Sequence, residues 1–528
     1  MAIQLSPSQE KAKSLIYDYL TDYGKKNKMF LLAGSAGTGK STLISHILCD
    51  PQFQKKKIVF SATTNKAVSI LQSMCHEKYD TEKMDIVYLT IHKLLKIKRK
   101  INRDGEELFQ TDIDTESKKV TKAKSIFNYD IIVIDESSMI SQDIMLSLEK
   151  IVYKMKGKII FLGDKAQLPP VNETESIIFS SSIPKFELQE IMRYQGNLVL
   201  LANKFRDLVF SRDTKIAFRE YRDKTIKTYT QYDKWIANYL QEIDKLTQKN
   251  NLENLLSKLP IFLVYTNRMC DRINQDVRKI IFPESQVRYQ EGEIILFNNY
   301  YYQKGSEKEE SFEEKDDNAD TKYYTSQKSQ VKKVEVREYQ LDKLAGTLKK
   351  EIPKLLTRFQ VNASDMLDVD MLELEDLYLN KLERTIAEIT ELTVKHYILT
   401  LQDGKSIWVI HEDMEKEMET IIQNTREALH KFKKFFLRKY SKAKEIKILL
   451  DKLMTTIWEH FYGEVLDKFA DISYGYSITT HKSQGSTFRS VYLHLPNIVQ
   501  MNSNEEESYR CLYTAFTRSS KKVHLLVK

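Results

Sequence analysis

The chain has 528 residues, which corresponds to about three to four domains, and its 41% hydrophobic and 30% charged residues exclude global disorder. Lys and Arg outnumber Asp and Glu by 82 to 74, a formal net charge of +8 that permits a polyanionic partner without requiring one. No run approaches the ~18 apolar residues of a membrane span, and the four cysteines (Cys49, Cys75, Cys270, Cys511) lie far apart with no CxxC pair, which argues against a disulfide scaffold or a zinc site and fits a reducing compartment.

The opening MAIQLSPSQEKAKSL has neither an apolar signal core nor an Arg-rich transit character, so a cytoplasmic location is expected. Residues 1–95 read as a helix, a strand, a glycine loop, a helix and another strand. MFLLAG (29–34) is a short buried strand and KSTLISHIL (40–48) a helix; KIVFSAT (57–63) is a second strand and NKAVSILQSM (65–74) a second helix. The polar insert 96–124 predicts a hairpin arm turning at Asp104-Gly105. The apolar runs YDIIVIDE (129–136) and GKIIFLGD (157–164) follow, separated by a helix, and this alternation predicts a parallel α/β sheet. A second α/β unit is expected from near 200 through LPIFLVYTN (259–267).

Residues 286–470 read differently. The strand-like segments 287–299, 330–339, 391–402 and 406–413 predict a small antiparallel barrel, 303–328 a flexible loop, and 341–390 and 413–470 helices. The α/β pattern resumes at ISYGYSITTHKSQG (472–485) and ends with SVYLHLP (490–496) and KKVHLLVK (521–528).

GSAGTGKS (34–41) matches GxxxxGK[ST] in full, after an apolar strand and at the start of a helix, the context the motif needs. Gly34, Gly37 and Gly39 let the backbone bend so that the amides of Ser35, Ala36, Thr38 and the helix start, through Thr42, face phosphates. Lys40 would reach the β- and γ-phosphates, and the Ser41 hydroxyl would coordinate Mg²⁺. IIVIDESS (131–138) places two acids at the ligand edge of a parallel sheet. Asp135 would complete the Mg²⁺ shell and Glu136 would orient the attacking water. Together these residues predict hydrolysis of a nucleoside triphosphate, with ATP and Mg²⁺ bound.

LGDKAQLPPV (162–171) resembles motif III of the superfamily 1 helicases, and other segments fall in that family's order. LSPSQEKA (5–12) resembles its adenine-reading Q motif, SATTNKAV (61–68) motif Ia, TIHKLL (90–95) motif Ib, VYTNRMCDRIN (264–274) motif IVa, SITTHKSQGSTF (477–488) motif V and YTAFTRSSKKV (513–523) motif VI. LQEIMRY (188–194) is similar to the segment whose arginine meets the γ-phosphate from the second domain. The THKSQG form of motif V and its late position resemble the 5′→3′ branch, superfamily 1B, Dda-like and RecD-like.

The resemblance implies an α/β fold with two RecA-like motor domains: 1A (1–95 and 125–190) and 2A (191–285 and 471–528). It implies a hairpin pin insert 1B (96–124) and a barrel-plus-helical insert 2B (286–470). It assigns Gln9 to adenine, Gln167 to γ-phosphate sensing, and Arg193 and Arg518 to phosphoryl charge from the second domain. Single-stranded DNA would be held by Thr63, Thr64, Asn65, Thr90 and His92 on the first domain and by Thr480, His481, Lys482, Gln484 and Ser486 on the second. The cations Lys96, Lys98, Arg99, Lys100 and Arg103 suit a phosphate backbone. Phe109 is a candidate to stack on the last base pair, against its alternative as an ordinary buried hairpin residue. Tyr300, Tyr301, Tyr302, Trp408 and Trp458 are either stackers or core, and 431–447 is either a basic binding surface or a solvated helix face.

The function implied is an ATP-dependent 5′→3′ DNA helicase acting on single-stranded DNA and single-/double-strand junctions. A monomer is expected, with no membrane association and with a single-strand-binding or replication protein as a conceivable partner. The alternatives are an RNA-directed superfamily 1 helicase and a nucleic-acid-binding NTPase switch without unwinding.

Overall fold

The computed structural model describes residues 5–22, 27–78, 84–102, 104–111, 126–192, 196–211, 216–248, 252–303, 321–340, 384, 392–439, 444–501 and 504–528. The first part of the chain contributes β1 (Met29–Gly34), β2 (Ile58–Ala62), β3 (Ile86–Thr90), a hairpin of β4 (Ile97–Ile101) and β5 (Glu107–Thr111), then β6 (Ile131–Asp135), β7 (Lys158–Gly163) and β8 (Lys185–Leu188). All but the hairpin form one parallel sheet, in the order β3-β2-β6-β7-β1-β8.

The central strands of this sheet are largely apolar because both faces are covered, while the edge strand β8 carries exposed Lys185 and Glu187. Alternation along a strand sends Phe30 and Leu32 to one face, where the helices Pro7–Thr21 and Lys40–Leu48 bring Ala12, Ile16, Leu43 and Ile47. Leu31, Ile132 and Ile134 point to the other face, against Met145, Leu148 and Ile151 of the helix Gln142–Val152. Every strand of such a sheet ends at the same edge, so Gly34, Asp135 and Gly163 deliver their following loops to one place.

The second sheet is also parallel. It takes β9 (Ile226–Tyr229) and β10 (Ile261–Val264) from the middle of the chain. The insert supplies β11 (Ile294–Phe297), β12 (Tyr301–Gln303), β13 (Thr321–Tyr323), β14 (Lys328–Gln340), β15 (Thr393–Leu401), β16 (Ser406–Ile410) and β17 (Ile472–Tyr474). The chain then returns with β18 (Ser477–Thr479), β19 (Phe488–His494) and β20 (Ser519–Leu526), giving the order β18-β10-β19-β20-β9. Both parallel sheets are of the RecA-like type expected.

Five insert strands pair antiparallel in the order β16-β15-β14-β11-β17 around Tyr289, Ile295, Phe297, Tyr397, Leu399 and Ile407. The insert also carries the helices Glu412–Lys439 and Lys444–Phe461 and a π-helical turn, Tyr462–Leu466. Their shared core includes Leu429, Phe432, Leu450, Met454, Ile457 and Trp458.

Two readings change. The stretch 472–485 is not one continuous piece of the second motor sheet, because Ile472–Tyr474 pairs with β11 in the barrel sheet and the motor resumes at Ser477. Residues 321–328, read as part of a flexible loop, form β13, a turn and the start of β14. Tyr301 and Trp458 are buried core residues. The helices expected over 341–390 lie outside the described residues, apart from Arg384.

Candidate active site and nucleic-acid interface

β1 runs into a loop that curls around its own lysine. Gly37 (φ 86°) and Gly39 (φ 81°) take the left-handed backbone that makes the turn. A side chain at Gly34 would meet Thr38 Oγ1 at 2.8 Å and Leu188 Cβ at 3.1 Å. Lys40 Nζ donates to the carbonyls of Gly34 (2.7 Å) and Ser35 (3.1 Å). Thr38 Oγ1 donates to Ser35 O (2.9 Å), and Ser41 Oγ donates to Asp135 Oδ2 (2.6 Å). The hydroxyl and carboxylate read as metal ligands therefore touch. The Thr42 side chain faces the next helix, donating to Met74 Sδ at 3.7 Å.

Gln9 closes a capping box with Ser6, accepting from Ser6 N at 3.0 Å, while its Nε2 donates to Thr38 O at 2.9 Å. Both ends of that amide are engaged at the edge of the phosphate loop.

Glu136 sits at φ 51°, a left-handed conformation that costs a residue with a Cβ roughly 1–2 kcal/mol and is concentrated at functional sites. Burial raises its carboxyl above the usual carboxylate range, and the Arg518 guanidinium pulls the other way. Arg518 Nη1 lies 3.8 Å from Glu136 Oε1. The Gln167 amide, oriented to satisfy both neighbours, donates to Glu136 Oε2 (3.3 Å) and accepts from Arg518 Nη2 (3.2 Å). Arg518 is in turn held by the carbonyls of Thr514 (3.1 Å) and Ser486 (3.4 Å). Glu136, Gln167 and Arg518 thus meet across the cleft between the two parallel sheets. Arg193 lies outside the described residues.

Sequence reasoning missed a second set of cross-cleft contacts. Asp164 Oδ2 accepts from Ala36 N (2.8 Å) and from Tyr513 OH (2.7 Å). Leu168 N donates to Thr514 Oγ1 (3.0 Å), Gln484 Nε2 donates to Leu168 O (3.0 Å), and Arg510 Nη1 donates to the carbonyls of Lys165 and Gln167. Arg510, Tyr513 and Thr514 stand at i, i+3 and i+4 on the helix Glu505–Thr517, so one helix face grips residues 164–168. That spacing was visible in YRCLYTAFTR, and Asp164 is a strand-end acid like Asp135.

The residues read as DNA contacts divide by what their side chains do. Thr64 Oγ1 accepts from Ala67 N (3.2 Å) and caps the helix beginning at Asn65, and Thr63 Oγ1 donates to Met139 Sδ (3.4 Å). A Cβ on Gly485 would lie 3.0 Å from Thr64 Oγ1, so the 63–65 segment abuts the motif V turn. Thr90 is buried as a helix cap, accepting from Lys93 N at 3.3 Å, and Thr480 is buried and donates to Val264 O at 3.2 Å. Gln484 is buried in the cross-cleft clamp, and Ser486 Oγ is buried with no partner among the described residues. His92 is half-buried, and burial lowers its pKa. His481 lies 5.8 Å from the Tyr265 ring; burial lowers its pKa and Glu507 opposes the shift. Lys482 Nζ donates to Asn298 Oδ1 of the insert (3.0 Å).

The β4-β5 hairpin docks on the helical part of the insert. Asn102 Oδ1 accepts from the backbones of Asp104 (2.8 Å) and Glu106 (2.9 Å), which shapes the tip. The Gly105 carbonyl accepts from Tyr462 OH (3.0 Å), Lys433 pairs with Asp104, and Ile101 joins the core of the helices. Arg99, read as a phosphate-facing cation, is spent on Glu107 (2.6 Å) and Asp467 (3.0 Å) and lies over the Tyr462 ring. Lys433, from the 431–447 run, is likewise a docking residue. Phe109 pairs with Arg99 in the hairpin register; its side chain and Arg103 lie outside the described residues.

A phosphate loop, a hydroxyl–carboxylate pair, a half-buried strand-end glutamate and an arginine from a second parallel sheet define a two-domain P-loop NTPase motor. Two family models match: an AAA domain over residues 22–173 and a UvrD-like helicase C-terminal domain over residues 474–526. The chain is 29% identical over 535 residues to the uncharacterized protein R530 of Acanthamoeba polyphaga mimivirus, covering 95% of this chain and 96% of that one. It is 33% identical over 172 residues to the RecBCD enzyme subunit RecD of Buchnera aphidicola subsp. Schizaphis graminum, covering 30% of this chain and 25% of that subunit. A crystal structure of Pif1 helicase from Bacteroides in complex with ADP-AlF3 and ssDNA overlays with 14% identity and a TM-score of 0.42, over 99% of this chain and 92% of that one. In motif order and in the two family matches the chain is similar to the superfamily 1B helicases, and these matches support an ATP-driven nucleic-acid helicase.

Among the described residues no helix is long and apolar enough to cross a membrane, and no group of three or more His, Cys, Asp or Glu side chains is placed to hold a metal.

Proposed function

We propose that this protein is a DNA helicase that moves 5′→3′ along single-stranded DNA and separates the duplex ahead of it. The observation that carries the motor reading is the cross-cleft meeting of Glu136, Gln167 and Arg518. A guanidinium reaching a first-sheet carboxylate from the second sheet makes closure of the cleft and stabilisation of phosphoryl charge one event. Hydrolysis then removes the charge that favours closure, and the sheets separate.

The residues present fit magnesium. Ser41 Oγ and Asp135 Oδ2, in contact at 2.6 Å, would hold the ion. Such a site needs only one or two protein oxygens, because phosphates and water supply the rest. The ion would neutralise charge on the β- and γ-phosphates. Glu136 would take the proton of the attacking water, and Lys40 would move from its loop carbonyls to the phosphates.

The motif V form THKSQG and its late position support the 5′→3′ direction. Docking of the β4-β5 hairpin on the insert supports its role as the separating pin, because a wedge must be braced against the unit that moves.

The test is ATP-dependent unwinding of a duplex with a 5′ single-stranded tail, compared with a 3′-tailed duplex, with Lys40→Ala as control. Unwinding of the 5′-tailed duplex alone is expected. Unwinding of the 3′-tailed duplex would overturn the direction. Activity confined to an RNA-tailed substrate would overturn the choice of DNA.

A further inference from the structure

We propose that Glu190 is a positioning residue for nucleotide selection: it braces the start of the helix Pro7–Thr21 so that the Gln9 amide presents one fixed edge to adenine. This rests on the ATP-driven motor proposed above, with Gln9 as the reader of the base. Glu190 lies two residues past the end of β8, at the same sheet edge as the phosphate loop, since Leu188 of β8 pairs with Gly34. Its Oε2 accepts from Ser6 Oγ at 3.1 Å and from Ser8 Oγ.

The Ser6 hydroxyl has a single proton to give, and Glu190 takes it, which leaves an Oγ lone pair for Gln9 N at 3.3 Å. Ser8 immediately precedes Gln9. Two residues beyond Glu190, Met192 N donates to Gly37 O at 2.8 Å. The segment 190–192 is thus tied at one end to the helix start that carries Gln9 and at the other to the phosphate loop that Gln9 touches through Thr38 O. Hydrogen bonds, that from Ser8 foremost, hold the Glu190 carboxyl below its usual range, so it accepts as a carboxylate.

A carboxylate at a helix N-terminus also serves stability. Here the two hydroxyls that it holds are the cap of the reading residue and its chain neighbour. After its bonds to Ser6 N and Thr38 O, the Gln9 amide retains one acceptor lone pair and one donor hydrogen. That pair matches the adenine amino group and N7, whereas guanine presents two acceptors there and opposes the amide carbonyl. Gly39 allows the amide its close approach to the loop, because a Cβ there would lie 2.8 Å from Gln9 Nε2. A tilt of the helix start would misalign this edge for adenine and relax its bias against guanine, without moving Lys40, Asp135 or Glu136.

The test measures KM and kcat for ATP and for GTP with the full chain and saturating single-stranded DNA. In the wild-type chain kcat/KM should favour ATP. Glu190→Ala should raise KM for ATP by about three- to tenfold, the worth of one net hydrogen bond, with kcat and the KM for GTP within about twofold. Glu190→Gln puts a carbonyl oxygen at the shared acceptor position and should keep most of the preference for ATP. Once Gln9→Ala has removed the reader, Glu190→Ala should change the preference no further. Equal rises in both KM values, an unchanged preference, or a Gln variant as defective as the Ala variant would overturn the role of Glu190. So would a further loss of preference in the Gln9→Ala chain. A wild-type chain without preference, or a preference kept in Gln9→Ala, would instead overturn Gln9 as the reader, and a chain with no ATP turnover would overturn the motor itself.

Discussion

Gly105 is tightly constrained at the tip of the hairpin. It sits at φ +76°, and a Cβ there would lie 2.5 Å from Trp458 Cε2 and 2.7 Å from Cζ2. Gly105→Ala would add left-handed strain of roughly 1–2 kcal/mol and overpacking of typically about 1–3 kcal/mol, so about 2–5 kcal/mol in all. The ring has little room to retreat, because Trp458 is 1% exposed and shares a core with Ile101, Phe432 and Phe461. Against this stand the Tyr462–Gly105 hydrogen bond and the Lys433–Asp104 and Arg99–Asp467 pairs. Partly exposed contacts of these kinds contribute only about 1 kcal/mol each or less. Through the upper part of its range the penalty exceeds the about 3 kcal/mol that these three contacts supply at most, enough to lift the tip from the helices.

The assay measures unwinding of a forked duplex beside single-stranded-DNA-stimulated ATP turnover. Unwinding should fall more than about tenfold, equivalent to about 1.4 kcal/mol, while turnover changes less than about twofold. Adding Trp458→Leu to the Gly105→Ala chain returns the space and should recover part of the unwinding, a non-additivity that a general loss of stability would not show. Parallel loss of unwinding and turnover, or no loss of either, would refute the braced-pin reasoning.

Replacing Arg518 with Ala should leave nucleotide affinity nearly intact and lower DNA-stimulated turnover by about 10³-fold or more, read by nucleotide binding beside phosphate release; unchanged turnover would remove Arg518 from the mechanism. Burial raises Glu136, so kcat/KM should be lost as pH falls through a value above the ordinary carboxylate range, because the base works only when deprotonated. An acid limb at the ordinary carboxylate value would contradict that role, and Glu136→Gln should be slow at every pH. Gln484→Ala strips the buried Leu168 carbonyl of a donor, a cost of about 1–3 kcal/mol. It should raise KM for ATP and weaken DNA stimulation, while a fall in thermal stability with unchanged kinetics would make Gln484 a packing residue only.

The parallel α/β architecture and the phosphate loop were legible because their signals are local. A buried parallel strand is a continuous apolar run, as in β2 and β7, and the turn that cradles phosphate needs its glycines within one short segment. Asp135 and Glu136 could be read for the same reason, as acids placed at a strand end.

Tertiary structure alone decided which sheet Ile472–Tyr474 joins, since a three-residue apolar strand reads alike in a barrel and in a motor sheet until its partner is known. Only tertiary structure set Arg99 on Asp467, Tyr513 on Asp164 and Gln484 on Leu168, pairs separated by 368, 349 and 316 residues. It also brought Glu190 to Ser6 and Ser8. Periodicity and motif spacing report which face of an element is apolar and which loop can bend. They do not report which distant surface that face will meet, because that choice is made by the packing of whole units.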